Sequence, residues 1–324
     1  MRRREFIAGL GAAAWPAMGR AQPATRLRLM GFLDDPEGQI RLAAIQEELA
    51  RLGWVEGQNI RIDVRWGAGD PGLTQAYAAE LVRLGPDVII ANSSVGVSAL
   101  LTETRAVPII FIGIPDPVSQ GFVTTLARPG GNATGFSLSD SPMVTKWVQL
   151  LAEIAPRVSR VTLVFNPNSV PGGEVTYGTP LLAAADSLQI EPHVDLVRTT
   201  DDLEKSFLAA AREPGGGMIV PPDLFTIAHH QLTIQMASDK QLPAVYGLSL
   251  FATAGGLAAY GSDAVDPHRR AVPYVDRILR GEHPAALPVQ APTKFELVIN
   301  QKTAKALGLT IAETLLATAD EVIQ

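Results

Sequence analysis

The run Asp87-Val88-Ile89-Ile90-Ala91-Asn92 constrains the fold more than any other stretch of this chain. A strand that is apolar at successive positions has no face to give to water, so it belongs inside a parallel sheet covered on both sides. Parallel strands need long crossover connections, usually helices. The flanking sequence supplies them. Leu73 to Leu84 has helical periodicity and is closed by Gly85-Pro86, and Val95 to Thr104 reads as a second short helix.

The same alternation runs in both directions. Leu27 to Leu33 reads as a strand, Ile40 to Leu52 as a helix stopped by Gly53, and Asn59 to Trp66 as a half-buried strand. Val107 to Ile112 and Ala133 to Leu138 are further strands. After the turn-rich segment Arg128-Pro129-Gly130-Gly131-Asn132 the rhythm restarts. Helices are predicted at Met143–Ile154, Tyr177–Leu188, Asp201–Arg212 (capped by Thr200 or Asp201), Phe225–Lys240 and Asp266–Arg280. Strands are predicted at Val158–Phe165, Glu191–Val197, Met218–Val220, Ala244–Tyr246 and Gly255–Tyr260, with Gly215-Gly216-Gly217 as a flexible turn. The segment Phe295 to Gln324 reads as a strand followed by helices.

Two successive runs of β-α units predict an α/β protein of two doubly wound, Rossmann-like lobes. The 324 residues suffice for two lobes. The expected division is 25–138 plus 262–289 for the N-terminal lobe and 139–261 plus 290–324 for the C-terminal lobe, with three crossovers near 138, 262 and 290.

Ligands of open α/β sheets bind beyond the carboxyl ends of the strands. The polar residues expected there are Asp34, Asn92, Ser93, Ser94 and Asp116 in the first run, and Asn166, Ser169, Asp223, Tyr246 and Tyr260 in the second. Hydrogen-bonding groups and aromatic faces of this kind suit a small polar or zwitterionic ligand. Ser93 and Ser94 stand at a predicted helix start, where backbone N–H groups attract a carboxylate. Asp116, between two prolines, is placed to meet an ammonium group. Each of these residue types also serves as an ordinary cap or turn residue.

Other chemistries find less support. Net charge is −6 and the Lys and Arg residues are scattered, so nucleic acid is not an expected partner. There is no cysteine, hence no disulfide framework and no thiol nucleophile. His229 and His230 are adjacent and point to different helix faces, which does not suit a helical metal pair. No G-x-S-x-G elbow is present, and the triple glycine lacks the Lys-Ser/Thr of a phosphate loop. The chain is therefore expected to be a binding protein and not an enzyme, with no metal and no cofactor.

The first residues predict a destination. Arg2-Arg3-Arg4, the short apolar run Ala8 to Ala14 and the small residues before Gln22 have the build of a signal peptide over residues 1–21. Arg3-Arg4-x-Phe6-Ile7 resembles a twin-arginine export signal. No later run approaches the ~20 apolar residues of a membrane span, so the mature chain is expected in the periplasm, freely diffusing and monomeric.

Several blocks carry a family resemblance. They are Pro115-Asp116-Pro117-Val118-x-x-Gly121-Phe122-Val123, Leu126-Ala127-Arg128-Pro129-Gly130-Gly131-Asn132, Gly255 to Asp263, and the ending from Val298 to Ile323. The chain resembles the bacterial ABC-transporter substrate-binding family that includes the tryptophan- and tyrosine-binding lipoproteins. The resemblance implies a type I periplasmic-binding fold and a small-molecule ligand delivered to an ABC permease in the inner membrane. It also implies that Asp116 lies in the cleft, that Ser93 and Ser94 receive a carboxylate, and that Asp223 and Tyr260 face the ligand from the second lobe. The same fold serving as a ligand sensor for a membrane signalling protein is the alternative. Two features depart from the family: the lipobox cysteine is absent, and the first loop, Asp34-Asp35-Pro36-Glu37, is acidic. The second leaves room for a more basic or differently shaped solute.

Overall fold

The computed structural model describes residues 27–34, 38–67, 70–138, 142–263 and 265–324. The expected export signal and Asp35 lie outside the described residues. The first part of the chain forms β1 (Arg28–Asp34), α1 (Gln39–Arg51), β2 (Ile60–Trp66), α2 (Pro71–Arg83), β3 (Val88–Asn92), α3 (Ser94–Glu103), β4 (Ile109–Ile114) and β5 (Ala133–Ser137). These strands make one parallel sheet in the order β2-β1-β3-β4-β5. The apolar strand β3 is at its centre, and Val88, Ile89, Ile90 and Ala91 are fully buried. Side chains alternate between the faces of a strand, so both faces of β3 demand a cover. Ile90 joins a core with Met30 and Ile112, and Ile89 joins another with Leu81 and Leu100.

The second part forms α4 (Pro142–Ile154), β6 (Arg160–Phe165), α5 (Thr179–Leu188), β7 (Glu191–Leu196), α6 (Thr200–Ala210), β8 (Gly216–Val220), α7 (Leu224–Ala228) and α8 (His230–Asp239). It continues through β9 (Ala244–Tyr246), α9 (Ser249–Thr253), β10 (Ala258–Ser262), α10 (Asp266–Leu279), β11 (Phe295–Asn300), α11 (Gln301–Ala306), α12 (Glu313–Leu316) and β12 (Glu321–Ile323). Its seven strands run in the order β12-β11-β10-β9-β8-β6-β7, with only β10 and β11 antiparallel. The architecture is the predicted pair of doubly wound sheets.

Helix α10 follows β10 in the chain but packs on the first sheet. Its Ala271, Val272 and Val275 share a core with Met30 and Ile90, and Trp54 Nε1 donates to Asp276 at 2.8 Å. The chain therefore passes between the sheets three times: after β5, after β10 and before β11. The passages are laced together, since Ser137 N–H donates to Gln290 O at 2.9 Å and Asp263 N–H to Lys294 O at 3.3 Å.

Several local expectations need correction. The single helix over Phe225–Lys240 is two, parted at His229, whose φ of −111° leaves the helical range. Apolar spacing continues across a one-residue break, so periodicity cannot detect it. Helix α6 is capped by Thr199, whose hydroxyl accepts from Asp202 N–H while the Asp202 carboxylate accepts from Thr199 N–H. The helix expected from Tyr177 begins as a π-turn over Glu174–Gly178. Pro180 has no N–H to donate to a regular first turn there. Gly216 and Gly217 are buried in β8 instead of forming a loop. A Cβ on Gly216 would come within 2.1 Å of Ala210 O, so the strand needs a glycine for close approach. Helix α9 and strand β12 were not expected; at five and three residues they are too short to show a period.

Candidate functional site

The carboxyl ends of both sheets face one cavity of about 120 Å³. From the first sheet come Asn92, the last residue of β3, Ser93 and Ser94 after it, Ile112 and Pro115 at the end of β4, and Leu138 after β5. From the second come Ser169 and Val170 after β6, Asp223 and Ile227 after β8, and Leu248 after β9. Ser262 at the end of β10, Asp263 just after it and His268 in the first turn of α10 complete it. The walls are mostly apolar with a few polar groups, the usual make-up of a small-molecule site.

Ser93 has φ 81° and ψ 150°, in the left-handed half of backbone space. Such a conformation in a non-glycine residue costs on the order of 1–3 kcal/mol. The bend turns the end of β3 directly into α3, a helix of 10 residues, so that its first turn abuts the cavity. Ser93 Oγ accepts from Gly96 N–H at 3.3 Å. The remaining start of the helix carries partial positive charge and favours an anion.

Asp223 answers from the other sheet. It is 3 % exposed, and its carboxylate accepts from Asn166 N–H at 2.6 Å and Phe225 N–H at 2.8 Å. Burial pushes its carboxyl up to about 6, against the opposing pull of those two N–H groups, the Ser169 hydroxyl and the neighbouring His229. Asp263 goes the other way. Burial would raise it, but the bonds from Lys294 and from the N–H groups of Val265 and Asp266 hold it below the ordinary value.

Asp34 lies beneath this layer. Its side chain is fully buried, accepts from Arg41 Nε and Nη2 at 2.9 Å each, and accepts from Asn92 Nδ2 at 2.9 Å. It thereby sets the positions of Arg41 and Asn92, which line the cavity.

Of the residues named from the sequence, Asn92, Ser93, Ser94, Ser169 and Asp223 line the cavity. Asp34, Asp116, Asn166, Tyr246 and Tyr260 are not on its wall. Asp116 adjoins the lining residue Pro115, but its carboxylate accepts from Ser119 N–H at 3.1 Å and closes a turn. Asn166 Oδ1 accepts from Asn168 N–H at 2.8 Å. Tyr246 is the last residue of β9 and stacks on Phe251 in the core, 4.8 Å between centroids. Tyr260 is the third residue of β10, not the residue after it, and stacks on Phe295 at 5.9 Å. A side chain within a strand points to a sheet face, whereas the cavity lies off the strand ends. Arg41, His268 and the apolar wall residues carried no sequence signal that singled them out. Asp263, by contrast, sits in the Gly-Ser-Asp block and was legible as a strand-end carboxylate.

The raised Asp223 carboxyl makes a pH prediction. The folded state keeps this proton to higher pH than an unfolded chain, whose aspartate titrates near 3.8. Between those values the folded state holds more protons, so stability falls as pH rises from about 4 to above 6. The cost approaches about 3 kcal/mol, taking 1.36 kcal/mol per pKa unit. Chemical unfolding of the wild type and Asp223→Asn across this range should give a difference that grows against the wild type with pH. A difference that stays flat refutes the buried, proton-retaining carboxyl.

The chain has relatives. A family model described as ABC transporter substrate binding protein matches residues 29–323. A tyrosine-binding protein of Clostridioides difficile is 24 % identical over 257 residues, which are 79 % of this chain and 73 % of that protein. The crystal structure of a conserved domain protein from Vibrio cholerae superposes with a TM-score of 0.85 at 27 % identity, covering 92 % of this chain and all of that one. A domain from Streptococcus pneumoniae solved with L-Trp also reaches 0.85, at 24 % identity and the same coverage.

Proposed function

This chain belongs to the ABC transporter substrate-binding protein family, and from that premise we propose that it holds a small amino acid or related zwitterion between its two lobes. The chain is a solute receptor for an ABC system, and members of this family work with a membrane permease. No helix among the described residues is long and apolar enough to cross a membrane. One juxtaposition carries the zwitterion reading: the start of α3, with Ser93 and Ser94, and the buried carboxylate of Asp223 line the same cavity from opposite sheets. The first suits a carboxylate and the second an ammonium group.

A ligand held at both ends touches both lobes only when they are together, so it favours the closed arrangement by the free energy of those extra contacts. The lobes proposed to move are 25–138 with 262–289 and 139–261 with 290–324, about the three laced passages. The export-signal-like start supports a periplasmic site of action. Ser169, which bonds the Asp223 carboxylate, and Asn92, held by Asp34, are proposed to orient the ligand head. Asp116, Asn166, Tyr246 and Tyr260 are proposed to support the site from behind.

Thermal melting of the purified protein against the standard amino acids tests this reading. At least one zwitterion should raise the melting temperature by several degrees at millimolar concentration, as mass action on the folded state requires. No shift across the set, with no amino acid released on denaturing natively purified protein, would falsify it.

A further inference from the structure

We propose that the cavity selects a small aliphatic amino acid and rejects aromatic ones; this rests on the zwitterion reading above. The walls around the charged groups are Ile112, Leu138, Val170, Leu224, Ile227 and Leu248. No Phe, Tyr or Trp lines the cavity among the described residues; its one ring there is the imidazole of His268. The internal segments outside them, 35–37, 68–69, 139–141 and residue 264, contain no aromatic residue in sequence. The rings elsewhere have other partners: Trp147 and Tyr177 pack together in one core, Tyr246 stacks on Phe251, and Tyr260 stacks on Phe295. Phe122 faces a wider depression of about 600 Å³ that shares only Ser94 with the inner cavity and holds no acidic or basic side chain.

Size points the same way. The cavity, at about 120 Å³, is smaller than the ~150 Å³ that admits a benzene ring to an apolar core. It must also hold the carboxylate and ammonium groups. A phenyl or indole side chain would then lack room, and it would meet no phenyl, phenol or indole face to pack against. A short branched chain meets methyl and methylene groups on every side, and each buried methylene contributes several-fold in affinity.

Isothermal titration with alanine, valine, leucine, phenylalanine, tyrosine and tryptophan reads this directly. The best aliphatic ligand should bind at least a hundredfold more tightly than any aromatic one. Leu248→Ala and, separately, Ile227→Ala remove three carbons from the wall. Either should shift the leucine-to-phenylalanine ratio toward phenylalanine by at least tenfold; the second variant serves if the first does not fold. Aromatic ligands binding as well as aliphatic ones overturn this inference and leave the zwitterion reading standing. A ratio unchanged in both folded variants also overturns it, because the wall named here would not be setting the selection. No binding by any amino acid overturns the earlier reading instead.

Discussion

Asp223→Asn is expected to weaken ligand binding at least a hundredfold while leaving a folded protein. The substitution removes charge at nearly constant shape. In the wild type a cationic head entering the cavity gives up water and meets a carboxylate that two backbone N–H groups already fix in place. Without the charge, the same head is desolvated with no counter-ion. Breaking one side of a buried pair costs about 3–5 kcal/mol, and every 1.4 kcal/mol is tenfold in affinity. The backbone consequences are smaller. Asparagine keeps one acceptor oxygen for Asn166 or Phe225 N–H, so the cap of α7 weakens by about 1 kcal/mol. Titration of the tightest zwitterion found for the wild type, with circular dichroism to verify the fold, decides it. Affinity within tenfold of wild type would remove Asp223 from the ligand site.

Gly261→Ala is expected to be the most damaging single methyl in the second sheet. Gly261 lies in β10 beside the residue that follows β9, and a Cβ there would come 1.9 Å from Gly247 O. Gly247 has little room to retreat: a Cβ built on it would come 2.3 Å from Pro222 Cδ, and its N–H is bonded to Val220 O at 2.9 Å. The backbones of three strand ends are thus stacked with no space for a side chain. Relief requires β10 and β9 to part, at a cost of about 3 kcal/mol or more. For a chain of 324 residues that lowers the melting temperature by roughly 4 °C or more. The same displacement moves Ser262 and Asp263 on one side and Leu248 on the other, all on the cavity wall, so binding should fail together with stability. Gly131→Ala is the control. A Cβ there meets nothing within 4 Å, and its effect should stay within about 0.5 kcal/mol. Equal melting temperatures for the two variants would refute the close-approach argument.

Legibility of the site divided along a physical line. Asn92 ends a strand and Ser93, Ser94, Ser169 and Asp223 follow strands, and the strand-end rule selects such residues without knowledge of where the sheets sit. Tyr246 and Tyr260 were named by the same rule, but Tyr246 is itself the last residue of a correctly placed strand, and the strand expected to end at Tyr260 runs two residues further. A shift that small moves a side chain from the loop to a sheet face. Asp116 carries the most specific sequence block of the chain, yet its carboxylate closes its own turn. A local bond of this kind competes with any ligand and is invisible to a motif.

What the sequence by itself determined is the two doubly wound sheets, because buried parallel strands and amphipathic helices announce themselves through local periodicity. It also determined that serines at a helix start and strand-end carboxylates would stand at the carboxyl ends of those sheets. Only the tertiary structure decided which of them meet. The placement of α10 on the first sheet and the convergence of Leu138 with Ile227 and Leu248 on one cavity join residues several elements apart, and even the stacking of Gly261 on Gly247 spans a whole helix. Periodicity reports which face of an element is buried. It carries no information on the distant partner that buries it, and that partner is what shapes the cavity.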